Sequence, residues 1–118
     1  MKVIIAGASA IGSYLAKLLS RNDYEITIID QDEDALEQLS RNYDLLTMDA
    51  SCTSPRALRN ANADKADLFI AVTADQTANL TACTMAHALG AKKTVAKVDE
   101  PEYTEQMDKA FFKEMGID

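Results

Sequence analysis

A chain of 118 residues is long enough for one domain with a modest buried core. Its composition, 47% hydrophobic and 26% charged, is ordinary for a globular protein, and no apolar run approaches the roughly twenty residues that span a bilayer. A formal net charge of −7 argues against a general nucleic-acid surface. With two cysteines, one histidine and a first strand that starts at once, we expect no metal site, no export signal and a cytoplasmic location.

The opening twenty residues predict a strand, a tight turn and a helix. Residues 2–6 form a short β-branched run, and residues 10–20 carry apolar side chains at a helical period. In the intervening turn, G-A-S-A-I-G, Gly7 allows a tight bend and Gly12 allows the helix to lie close to the strand. Free N–H groups at the helix start favour an anion. Because Ser9 replaces the middle glycine of the dinucleotide-binding fingerprint, a tight turn without a ligand is an open alternative.

An acidic residue ends the second predicted strand. That strand covers residues 25–29, and Asp30 follows it, eighteen residues after Gly12. An acid at this distance binds the ribose hydroxyls of an adenosine group, and its charge favours NAD over NADP. The alternative is that Asp30 merely caps the next helix. Strand, turn, helix, strand and acid together favour nucleotide binding.

Helices and strands alternate along the rest of the chain. Strands are predicted at residues 45–48, 67–73 and 93–98, the last alternating in polarity like an edge strand. Helices are predicted at residues 32–43 and 55–60. A long helix follows the fourth strand and runs to Leu89, before Gly90. A last helix starts at Pro101 and carries Tyr103, Met107, Ala110 and Phe111 on one face.

Five strands, each followed by a helix, predict an α/β fold. We expect a Rossmann-like doubly wound parallel sheet of order 3-2-1-4-5, in a single domain over residues 1–118. In such a sheet a ligand lies at the carboxyl ends of strands one and four, where the strand order reverses.

Nearly the whole chain resembles the N-terminal nucleotide-binding domain of TrkA-type potassium-uptake regulators, also called the TrkA-N, KTN or RCK N-terminal domain. The segments that carry the resemblance are KVIIAGASAIGSYLAKLL, ITIID, MDASCTSPRAL, ADLFIAVTADQTANLTACTMAHALGAKKTVAKV and EPEY. The resemblance implies a ligand-sensing regulatory domain rather than an enzyme, with no catalytic residues. Its partner would be a membrane potassium channel or transporter subunit at the inner face of the membrane, and it would form a dimer or larger ring.

The resemblance also implies the ligand and its contacts. The ligand would be NAD or NADH, or alternatively ADP, ATP or AMP. Phosphates would lie on the turn, the ribose on Asp30 and the adenine beside the loop after the third strand, with further residues on the far side of the cleft. The implied site comprises Gly7, Ala8, Ser9, Ala10, Ile11, Gly12, Asp30, Asp49, Ala50, Ser51, Thr73, Asp75, Asn79 and Lys97. Lys97 stands where the family usually carries Arg and would help to neutralise phosphate.

Other expectations concern the chain end and a rival function. Family members usually continue into another strand and a C-terminal regulatory domain, so we expect an excised N-terminal domain, with that regulatory domain absent. The rival function is an NAD-dependent oxidoreductase domain that lacks its substrate half. Against it, His87 is the only histidine and is expected to pack or lie at the surface. Cys52 is expected in a polar, exposed loop.

Overall fold

The computed structural model describes residues 1–118 and centres on one five-stranded parallel sheet. Its strands are β1 (Lys2–Ala6), β2 (Glu25–Asp30), β3 (Leu46–Asp49), β4 (Leu68–Ala71) and β5 (Thr94–Ala96). The spatial order is β3-β2-β1-β4-β5, with every neighbouring pair parallel. The predicted fold class and strand order are therefore confirmed, as is the edge position of β5.

Helices connect the strands and cover both faces of the sheet. They are α1 (Ala10–Leu19), α2 (Glu33–Asn42), α3 (Pro55–Asn60), α4 (Gln76–Leu89), α5 (Pro101–Gln106) and α6 (Lys109–Glu114), with a 3-10 turn at Ala63–Lys65. None of these helices is long and apolar enough to cross a membrane.

Alternating side chains of the central strands feed two separate cores. In β1, Ile4 packs into the core under α3 and α4, whereas Val3 and Ile5 pack into the core under α1 and α2. All three side chains are completely buried, as expected for a β-branched strand that is covered on both faces. Because the sheet is buried on both faces, it fixes the positions of the strand ends and of the loops that follow them.

The prediction of one last helix was wrong, because the chain breaks it in two. Met107 adopts an extended conformation, and the Asp108 carboxylate accepts a hydrogen bond of 2.9 Å from the Phe111 amide, which starts α6. The break changes the helical phase, so Ala110 and Phe111 are exposed rather than on a shared buried face. The chain then ends beside β5, where the Asp118 amide donates to the Thr94 carbonyl at 2.9 Å.

Candidate functional site

The turn after β1 requires both of its glycines. Gly7 has a φ of +118°, and a Cβ there would lie 3.1 Å from the backbone of Val72 and Thr73. A Cβ on Gly12 would lie only 1.8 Å from the Gly7 carbonyl oxygen. These contacts confirm the predicted bend at Gly7 and the predicted close approach of the helix at Gly12.

The amino terminus of α1 carries no side-chain cap. Ser9 occupies the cap position, and its hydroxyl makes no hydrogen bond to the first turn. By contrast, α2, α3 and α4 are capped by Asp32, Ser54 and Asp75. Since Ser9 is exposed, the first-turn N–H groups of α1 and the positive end of its dipole face an accessible surface. This is the part of the strand-end edge best suited to an anion.

Asp30 lies at the end of β2 and contacts three neighbouring segments. Its carboxylate accepts hydrogen bonds from the amides of Ala8 at 2.6 Å and Asp32 at 2.8 Å. Its carbonyl accepts one from the Ala50 amide at 3.1 Å. The alternative that Asp30 itself caps the next helix does not apply, because Asp32 holds that position and accepts from the Ala35 amide at 3.2 Å.

A cavity of about 350 Å³, here called the strand-end cavity, opens beside Asp30. Its volume falls in the range of small-molecule sites. It is lined by Ile29, Asp30, Gln31, Ala50, Ser51, Cys52, Thr53, Thr73, Asp75 and Ala78. The structure therefore brings together five of the predicted site residues, from the ends of β2, β3 and β4.

The predicted turn residues line a different surface. Ala8, Ser9 and Ala10 border a groove of about 390 Å³ between α1 and α2, and the Asp30 carboxylate links the turn to the strand-end cavity. Ile11 is 43% exposed on the first turn of α1. A larger cavity of about 500 Å³ beside β5 and α6 contains none of the predicted residues.

Asn79 is buried and holds the end of β4 in place. It is 1% exposed, and its carbonyl oxygen accepts from the Thr73 amide at 2.9 Å and the Thr73 hydroxyl at 2.6 Å. Its NH₂ group donates to the carbonyls of Thr73 and Lys97, both at 3.0 Å. All of its polar atoms are thus engaged within the protein. Asp75 caps α4 by accepting from the Thr77 and Ala78 amides at 3.0 and 3.2 Å.

Lys97 and Asp49, like the turn residues and Asn79, do not line the strand-end cavity. The Lys97 ammonium is 2.6 Å from the Asp99 carboxylate, so its charge is already paired. Asp49 is exposed at the end of β3 near Glu33, and a hydrogen bond to Asp49 together with its negative charge raises the pKa of the Glu33 carboxyl. The rim of the site is therefore acidic, and attraction for phosphate depends on backbone N–H groups.

Several residues that line the strand-end cavity were not predicted from the sequence, including Gln31, Thr53 and Ala78. Thr53 lies in the predicted loop after the third strand, of which only Asp49, Ala50 and Ser51 were assigned to the site. The expectation that Cys52 is exposed was wrong, because it is 8% exposed and burial raises the pKa of its thiol. Cys83 is fully buried in α4, which raises its pKa to about 12.

A parallel sheet of order 3-2-1-4-5, with a glycine turn after β1 and an acid at the end of β2, defines a Rossmann-like domain. The model of the TrkA-N domain family matches residues 3–118. The chain belongs to that family, which confirms the resemblance seen in the sequence.

Curated relatives carry a potassium-uptake name. The chain is 39% identical over 112 residues to the Trk system potassium uptake protein TrkA of Haemophilus influenzae, covering 94% of this chain and 24% of that protein. It is 31% identical over 118 residues to a TrkA homolog of Methanothermobacter thermautotrophicus, covering 100% of this chain and 52% of that protein. The chain thus spans about a quarter to a half of these relatives.

Solved structures share the fold at low identity. The TrkA-N domain of the Escherichia coli inner membrane protein ybaL superposes with a TM-score of 0.84 at 14% identity, covering 99% of this chain and 83% of that one. The GsuK channel bound to NAD superposes with a TM-score of 0.79 at 18% identity, covering 98% of this chain and 20% of that one. The Shewanella denitrificans Kef CTD in its AMP-bound form superposes with a TM-score of 0.73 at 22% identity, covering 90% of this chain and 64% of that one.

Proposed function

We propose that this chain is a ligand-sensing regulatory domain of potassium uptake that binds NAD, NADH or another adenine nucleotide. Its relatives are named Trk system potassium uptake proteins, and solved structures of the same fold are described with NAD or AMP bound. The observation that carries the proposal is the uncapped start of α1, which opens beside Asp30 at the reversal of strand order.

The nucleotide would lie across the strand ends. Its phosphates would accept hydrogen bonds from the first-turn amides of α1, because these donors have no side-chain cap. The ribose would contact Asp30, and the adenine would enter the strand-end cavity between the apolar side chains of Ile29 and Ala50 and the hydroxyl of Thr53. Asn79 and Lys97 would act indirectly, since both are engaged within the protein.

Binding would act on transport by shifting a conformational equilibrium. A nucleotide that contacts the ends of several strands favours the arrangement in which those strand ends bind it best. We propose that this preference is passed to a membrane potassium channel or transporter subunit, with the domain at its cytoplasmic face in a dimer or ring. The coupling would be reciprocal, so the transporter state would also change nucleotide affinity.

Calorimetry with a cavity-filling variant tests the proposal. Ala78 is half-buried in the wall of the strand-end cavity, so Ala78→Leu places a larger side chain there. Ala88→Leu is the matched control, because Ala88 is exposed near the other end of the same helix. We expect titration with NAD, NADH, ADP, AMP and ATP to give heat for wild type and the control. Ala78→Leu should bind at least about tenfold more weakly.

Absence of heat with every nucleotide in the wild-type protein would contradict the proposal. Equal affinity in a folded Ala78→Leu variant would place the ligand elsewhere. Circular dichroism of both variants separates a filled cavity from an unfolded chain.

The oxidoreductase alternative requires an acid or base beside the nicotinamide. His87 does not line the strand-end cavity, and its ring lies against Gly116. Incubation with NADH and a panel of oxidised substrates distinguishes the two functions. Stoichiometric binding without NADH turnover agrees with sensing, whereas turnover would support the enzyme.

A further inference from the structure

We propose that the Asp30 carboxylate is a positioning residue that holds the turn after β1 in its binding conformation before any ligand arrives. This inference rests on the proposed nucleotide function. It assigns to Asp30 a second role, distinct from contact with the ribose, and that role acts on the phosphate end of the ligand.

The contact between Asp30 and the turn is short and shielded. Asp30 Oδ2 accepts from the Ala8 amide at 2.6 Å, and the Gly7 amide donates to the Ile29 carbonyl at 2.9 Å. A hydrogen bond to an ionised acceptor is roughly twice as strong as a neutral one. Because Ala8 is only 3% exposed, water competes poorly for its amide. Asp30 thus extends the pairing of β1 with β2 by one residue into the turn.

The other oxygen and the main chain of Asp30 attach the turn to the rest of the site. Oδ1 accepts from the Asp32 amide at 2.8 Å, where α2 begins, and the carbonyl accepts from the Ala50 amide in the cavity wall at 3.1 Å. A carboxylate has about four acceptor positions, so two remain for ribose hydroxyls. Holding the turn and contacting the sugar are therefore compatible.

One consequence concerns the phosphate donors. The Ala8 amide is committed to Asp30, so it is unavailable to a phosphate. The donors are then the amides that begin with the first residues of α1, and their aim depends on the turn that Asp30 holds.

Ligands with and without ribose hydroxyls separate the two roles. We compare ADP with 2′,3′-dideoxy-ADP on wild type, Asp30→Ala, Asp30→Asn and the control Asp34→Ala. Asp34 lies in the first turn of α2 and its loss removes the same charge. We expect Asp30→Ala to lower the affinity for 2′,3′-dideoxy-ADP about tenfold. Asp30→Asn retains one acceptor and should restore part of that loss, and Asp34→Ala should bind like wild type.

Asp30→Ala binding 2′,3′-dideoxy-ADP as tightly as wild type, but ADP more weakly, would show that Asp30 acts through the ribose alone and would overturn the inference. If Asp30→Ala does not fold, the same comparison is made with Asp30→Asn, whose loss should be smaller but present for both ligands.

Amide hydrogen exchange at Ala8 tests the positioning without any ligand. In the nucleotide-free protein we expect exchange at Ala8 to be about tenfold faster in Asp30→Ala and unchanged in Asp34→Ala. Unchanged exchange in the Asp30 variants would overturn the inference. If exchange at Ala8 is faster in Asp30→Ala but the wild-type protein binds no nucleotide, the proposed function is contradicted, while the contact between Asp30 and the turn is established.

Discussion

Two strand-to-helix connections lie on either side of the reversal in strand order: β1 to α1, here called the first crossing, and β4 to α4, here called the second crossing. They share a topology and differ in chemistry. At the second crossing Asp75 caps α4 with two hydrogen bonds, and Asn79 engages both backbone polar groups of Thr73. At the first crossing Ser9 makes no capping bond, and two glycines bring α1 against the sheet. A strand-to-helix crossing thus offers an anion site only where side chains leave the helix start free.

Closing the space at the first crossing should have the largest effect. Gly12→Val introduces a side chain whose Cβ would meet the Gly7 carbonyl oxygen at 1.8 Å, so the backbone must move. We expect the free energy of unfolding to fall by about 3 kcal/mol. Urea denaturation measures this, with the exposed Ala88→Val as control. A Gly12→Val protein as stable as the control would show that α1 does not need its close approach.

Removing the buried amide at the second crossing should have the next largest effect. Asn79→Ala leaves the Thr73 amide and the Thr73 and Lys97 carbonyls without their partner. We expect a loss of about 2 kcal/mol in the free energy of unfolding, because buried polar groups left unpaired are costly. Thermal melts compare this variant with Asn60→Ala, which alters an exposed asparagine. Equal melting temperatures would contradict a structural role for Asn79.

Making the first crossing resemble the second should have a smaller effect, confined to binding. Ser9→Asp places a capping carboxylate at the start of α1, as Asp75 does for α4. The helix should be stabilised by about 0.5–1 kcal/mol, and affinity for ADP should fall about tenfold because the carboxylate occupies the phosphate position. Ser9→Asn caps α1 without adding a charge and should lower the affinity for ADP less. Undiminished ADP affinity in Ser9→Asp would exclude the start of α1 as the phosphate site.

The sheet could be predicted from sequence because β1 and β2 are rich in β-branched residues, β4 is apolar, and turn and cap signals separate the strands. The strand at residues 2–6 and the helix at residues 55–60 have the predicted bounds in the structure. The break at Met107 and Asp108 could not be predicted from the helical period, because an aspartate is both tolerated inside a helix and favoured as a cap. Tertiary contacts decide between these two outcomes.

The candidate site could be predicted by position but not by role. Asp30 and Thr73 follow strands, so their presence at one edge of a parallel sheet follows from the topology. That Asn79 is buried depends on contacts such as its hydrogen bond to the Lys97 carbonyl, eighteen residues away, which no local pattern encodes. The same limit explains why the bond between Asp30 and Ala8 emerged only from the structure.

A titration with inorganic pyrophosphate, which has no adenine to enter the strand-end cavity beside Ala78, followed by backbone amide NMR, tests most directly that the first crossing holds the phosphates. We expect large shifts for the amides of Ala10, Ile11 and Gly12 in the first turn of α1. We expect small shifts for Thr77 and Ala78, whose amides already donate to Asp75. Shifts concentrated at Thr77 and Ala78, with the α1 amides unmoved, would contradict a phosphate site at the first crossing.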